Sequence, residues 1–213
     1  MAEEIRVAFH RELDDIDEKV VRLFALVGEG LQGATEAFLA SDREAAKALV
    51  DRDKEVVDSL YEDIEQLVQR QFFLQSPMAQ DLRFLLSVLR IVPELERSAD
   101  LAEHIAQRAA RGVSNELTPR IRGLVEQMGR AGAAMWRDAA DAYVERNGDI
   151  ADQLKEDDDE LDELHVSITA ELVSGKLTVP VALEMALVAR FYERLGDHAV
   201  NIAQRIRYMA VGK

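Results

Sequence analysis

The residues best placed to do chemistry are acids spaced four apart. Glu96 and Asp100 form one such pair, Glu193 and Asp197 another, and on an α-helix that spacing puts both members on one face. At about 100° per residue, Leu85, Leu89 and Val92 fall within about 40° of Glu96, and Ala182, Ala186 and Ala189 fall as close to Glu193. The carboxylates therefore continue an apolar stripe, and the opposite, solvated face is left to other charges. Two carboxylates on a partly buried face repel each other and lose hydration. They then need a proton, an arginine such as Arg97 or Arg194, or a cation.

The preceding stretches offer more acids. Asp158 and Asp162 stand four apart just before Leu164 and Ile168, while Asp53 and Asp58 stand five apart, with Lys54 four before Asp58. If the chain folds these opposite Glu96/Asp100 and Glu193/Asp197, each set forms an all-oxygen cage. Such a cage suits Mg, Mn, Ca or ferric iron and accepts Zn, whereas a soft-metal site has no cysteine to use. A solvated charge run at a helix start is the competing reading. His198 follows Asp197 and is placed to donate to a ligand carboxylate; His104 lies one turn after Asp100 and Asn201 one turn after Asp197. His10 and His165 are read as structural, as are Trp136, Met128, Met135, Phe72 and Phe73, which belong in a core. Nucleophilic catalysis has no support, since there is no cysteine, no serine has a nearby histidine and no Gly-rich phosphate loop occurs.

These acids sit on helices. Proline is scarce, and apolar residues recur at three and four throughout. Breaks at Ser41-Asp42, Ser76-Pro77, Gly112 to Pro119, Asn147-Gly148-Asp149 and Ser174 to Pro180 divide the chain into helices at approximately 3–40, 43–75, 78–111, 118–146, 150–174 and 179–209. The halves repeat. A shift of 97 lays 96–108 on 193–205 with eight of thirteen residues identical (Glu, Arg, Asp, Ala, Ile, Ala, Gln, Arg), and shifts of 105 and 104 lay Asp53 on Asp158 and Asp58 on Asp162. The expected fold is all-α: two tandem, pseudo-symmetric three-helix bundles, 1–112 and 113–213.

Composition narrows the function classes. With 26 basic against 41 acidic residues, a net charge of −15 and no basic block, nucleic-acid binding and unaided attraction to anionic lipid are disfavoured. The first residues lack the cationic start of a secretory signal, and no run of eighteen apolar residues spans a membrane. A cytoplasmic location is expected.

Arg52-Asp53-Lys54-Glu55, Pro77-Met78-Ala79-Gln80-Asp81-Leu82-Arg83, Glu94-Leu95-Glu96-Arg97-Ser98-Ala99-Asp100 and, above all, 189–202 with its Glu193-Arg194-Leu195-Gly196-Asp197 core resemble the PhoU family of phosphate-transport accessory regulators. The resemblance runs from near the N-terminus to about Met209. It implies a dimeric adaptor, peripheral to the membrane through its partners, that negatively regulates the phosphate regulon by coupling the phosphate ABC transporter ATPase subunit to a sensor histidine kinase. It also implies a multinuclear iron or zinc site, with Glu96/Asp100, Glu193/Asp197 and Asp158/Asp162 as ligands. The first repeat departs from the pattern, with Lys54 in place of an acid and Ala99 in place of the glycine that Gly196 supplies. A metal-independent helical adaptor is the alternative. A ferritin-like di-metal protein, the other alternative, wants Glu-x-x-His on two helices, and the residues three before the four histidines include no glutamate.

Overall fold

The computed structural model describes residues 2–74 and 77–212, and the side chains of 2–5 and 51–54 lie outside the described residues. Six α-helices follow in order: α1 Ala2–Ala40, α2 Arg43–Leu74, α3 Ala79–Ala110, α4 Pro119–Glu145, α5 Ile150–Leu172 and α6 Val179–Val211. The boundaries fall where local chemistry sets them. Asp42 Oδ1 accepts from the Glu44 and Ala45 N–H groups to cap α2, and Thr118 Oγ1 accepts from Ile121 N–H to cap α4, whose first residue is Pro119. Of the expected break at Ser76-Pro77, Ser76 lies outside the described residues. The loop expected from Gly112 to Pro119 contains a short 3₁₀ turn, Val113–Glu116, entered through Gly112 at a φ of 79°.

Helices α1–α3 form one bundle and α4–α6 the other, with α2 and α5 each packed on the other two helices of its own bundle. The bundles join along α1 with α4 and along α3 with α6. Ser87 meets Arg205 and Arg108 meets Glu184, so α3 and α6 run antiparallel. One continuous apolar core results. At the α1–α4 seam the Phe24 ring lies 6.4 Å from Trp136 and 5.2 Å from Tyr143. Met128, Met135 and Trp136 are buried, in keeping with their helical spacing. Phe72 and Phe73 are not core residues: they are 36% and 87% exposed. They occupy the last turn of α2, where Gln71 takes the inward position and bonds Glu12, and neighbours rotated by about 100° per residue cannot share that direction.

Among the described residues no helix is long and apolar enough to cross a membrane.

Candidate metal centre

The second repeat gathers its four candidate acids on two neighbouring helices. Asp158 and Asp162 are one turn apart on α5, Glu193 and Asp197 one turn apart on α6, and these two helices pack together. Asp158 lies against the bare backbone of Gly196: a Cβ there would collide with Asp158 Oδ1 and come 2.9 Å from Leu161 Cδ2. Glycine is required at this point because it alone leaves room for the carboxylate. Burial pushes the Asp158 carboxyl up to about 6, and the charges of Asp197, Asp162 and Glu193 push the same way. Burial likewise raises Glu193; Arg190, which bonds Glu193 Oε1, and His165 oppose the rise, while Asp197 and Asp162 add to it.

Asp158 Oδ1 and Glu193 Oε2 are buried and unpaired. A buried carboxylate oxygen without a donor is costly, and two beside further acids mark a place that favours positive charge. Carboxylate oxygens are the donor type that a hard cation takes. Asp162 and Asp197, however, are exposed, and among the described residues no three His, Asp or Glu groups stand close enough together to hold an ion. The inward orientation read from the stripe thus holds for half of this set. Ala186, on the same stripe as Glu193, is exposed as well.

The first repeat is built differently. Asp58 is exposed, Glu96 and Asp100 are half-buried, and the side chain of Asp53, like that of Lys54, lies outside the described residues. Asp58, Asp100 and Glu103 line a cavity of ≈ 30 Å³ beside Ala99, room enough for a water-sized guest. Ala99 carries the methyl group that Gly196 lacks. Glu96 lies near Tyr61, whose phenol is raised first by burial, then by Glu65 and by Glu96 itself.

The remaining candidates turn elsewhere. His198 is buried between α6 and α3, with Nε2 3.7 Å from Glu94 Oε2 and Nδ1 2.9 Å from Ser98 Oγ, so contrary to expectation one serine does have a histidine beside it, a hundred residues away in sequence and with its hydroxyl donating to the Glu94 carbonyl; burial lowers the His198 pKa. It faces Glu94, not the ligand carboxylates. The His104 ring stacks 5.3 Å from Phe191. Arg97 pairs with Glu94 at 2.8 Å, and Arg194 and Asn201 are exposed. Sequence reasoning passed over Glu103, Glu94, Arg190 and the proximity of His165 to Glu193. The three-residue spacings Asp100 to Glu103, Glu94 to Arg97 and Arg190 to Glu193 were the available signal.

One consequence is measurable by titration. Gly196→Ala evicts the Asp158 carboxylate from its seat into water, so its pKa should fall from about 6 toward the ordinary carboxylate value. Carboxyl-resolved NMR titration of both proteins checks this, and an unchanged midpoint would show that Gly196 does not set the environment of Asp158.

Comparison with known proteins extends across the whole fold. The PhoU domain family model matches residues 20–109 and 125–206. The phosphate-specific transport system accessory protein PhoU homolog 2 of Mycobacterium tuberculosis is 31% identical over 211 residues, covering 98% of this chain and 99% of its own length. The corresponding PhoU homolog of Clostridium acetobutylicum is 30% identical, with 98% and 96% covered. The crystal structure of PhoU from Pseudomonas aeruginosa superposes with a TM-score of 0.88 at 28% identity, over 96% of this chain and all (100%) of that one.

Proposed function

The chain belongs to the PhoU family, and from that premise we propose that it is a metal-binding adaptor regulating phosphate transport, with no catalytic turnover. The observation that carries the metal part is the pair of buried, unpaired oxygens, Asp158 Oδ1 and Glu193 Oε2, inside a four-carboxylate set. A bound hard cation, iron or zinc with Mg or Mn as alternatives, would supply the positive charge that these acids lack and tie α5 to α6. Gly196 seats Asp158, Arg190 orients Glu193, and the exposed Asp162 and Asp197 are free to swing inward as further ligands.

The relatives are named accessory proteins of the phosphate-specific transport system. For this chain we propose a cytoplasmic homodimer that meets the transporter's ATPase subunit and a sensor histidine kinase and holds the phosphate regulon down when phosphate is plentiful. Deleting the gene should switch on a phosphate-starvation promoter in rich phosphate. A silent promoter there would remove the regulatory reading and leave the metal site standing.

Elemental analysis of purified protein against Glu193→Ala plus Asp197→Ala tests the metal. The parent should carry metal in near-stoichiometric amount, and the double variant should lose at least half of it; equal content in both would count against the site. The exposure of Asp162 and Asp197 favours one rival, an adaptor whose acids act without metal. Equal capture of the ATPase or kinase domain by metal-stripped and loaded protein would select that rival.

A further inference from the structure

Where α3 and α6 cross, a depression of ≈ 410 Å³ opens to solvent, lined by Arg90, Glu94 and Arg97 from α3 and by Asn201, Gln204 and Arg205 from α6. It shares no residue with the carboxylate set. In a chain of net charge −15, this one surface brings three guanidinium groups together against a single carboxylate. Glu94 Oε1 holds Arg97 at 2.8 Å, while Oε2 is buried without a hydrogen-bond partner 3.7 Å from His198, with the Glu94 side chain 17% exposed. Among the described residues, neither Arg90 nor Arg205 has an ion-pair partner, although Arg205 is half-buried. The partly buried Arg205 guanidinium, which lines the groove without an ion-pair partner among the described residues, is placed to bind an anion from solution.

The lining selects the anion. Guanidinium forks take phosphoryl oxygens two at a time, and the amides of Asn201 and Gln204 add neutral donors. The volume is several times what a single phosphate fills. No aromatic ring lines the depression, so a nucleobase finds no aromatic platform there. We propose that the α3–α6 groove binds a short inorganic phosphate chain, of the size of pyrophosphate or tripolyphosphate, between Arg90, Arg97 and Arg205. This goes beyond the adaptor reading and stands on separate residues.

Calorimetric titration of the full chain, stripped of metal and at physiological salt, tests it with phosphate, pyrophosphate, tripolyphosphate and ATP. Tripolyphosphate should bind with a Kd of about 10 µM, tighter than pyrophosphate and phosphate, with ATP no tighter. Arg90→Gln plus Arg205→Gln should weaken binding at least tenfold, and Gln204→Glu, at an exposed position where the fold is not at stake, should weaken it as well. Asp158→Asn should leave it unchanged. No saturable binding of tripolyphosphate to ~1 mM would overturn the proposal. So would affinity indifferent to both the arginine and the Gln204 substitutions, loss of binding in Asp158→Asn, or ATP binding more tightly than tripolyphosphate.

Discussion

Gly129→Val is expected to cost about 3 kcal/mol of stability and to lower the Tm by roughly 6–12 °C for a chain of this length. Gly129 is buried on α4 against α1, where any Cβ would collide with Thr35 Cγ2 and come 3.1 Å from Thr35 Oγ1. That hydroxyl is fully committed. It donates to the Leu31 carbonyl at 2.8 Å and accepts from the Tyr192 hydroxyl at 2.8 Å, which ties α6 to α1. Burial pushes the Tyr192 phenol up, so it stays a donor at any physiological pH. A branched side chain at 129 drives α1 from α4, breaks this buried pair and opens the packing around Trp136, which is 1% exposed. Thermal unfolding followed by far-UV circular dichroism reads the loss. A variant melting within ~1 °C of the parent would mean that the seam is not held by close approach at Gly129.

Asp158→Asn should act in the opposite direction on stability and abolish tight metal uptake. In the metal-free protein, Asp158 titrates near 6 instead of at the ordinary 3.8, because burial and the charges of Asp197, Asp162 and Glu193 disfavour its ionised form. The sign follows from linkage: a carboxyl raised on folding stabilises the fold most below its unfolded pKa, and that contribution is lost as pH rises through about 6. Metal-free wild type should therefore lose stability between pH 5 and pH 7.5 relative to the variant. At neutral pH the variant should be more stable by about 1 kcal/mol, or ~2–4 °C in Tm, a value held down because solvent still reaches the group. Added metal should stabilise the parent and do little for the variant. Melting curves at both pH values, with and without metal, check all three statements. A variant less stable than the parent in the absence of metal would show that Asp158 has a protein partner and is not waiting for a cation. A stabilising loss of a site residue is the mark of strain kept for function.

The six helices were legible because their signals are local. Asp42 and Thr118 cap from within the first turn, Pro119 fixes the first φ of α4, and the 3.6-residue stripe follows from sequence spacing alone. The repeat was legible for the same reason, since residues 96–108 and 193–205 can be compared without folding either. The acid pairs followed from spacing too, but how deeply each acid sits did not. Asp158 and Glu193 are half-buried and Asp162 and Asp197 exposed, although all four have the same four-residue separation. The difference depends on which neighbouring helix covers which flank, and the helix in question does not encode that. Phe72 and Phe73 were misread on the same ground, since hydrophobicity does not say whether the partner helices reach the last turn of α2.

By itself, then, the sequence determined an all-helical duplicated chain of the PhoU family and which acids stand one turn apart on its helices. Only the tertiary structure decided that the two bundles share one core through α1–α4 and α3–α6, that Gly196 is the seat of Asp158, that His198 turns to Glu94, and that three arginines meet in one groove. The physical reason is range. Capping and periodicity act within a few residues, whereas burial, unpaired oxygens and converging charges arise between residues such as 94 and 198, which the chain separates and only packing brings together.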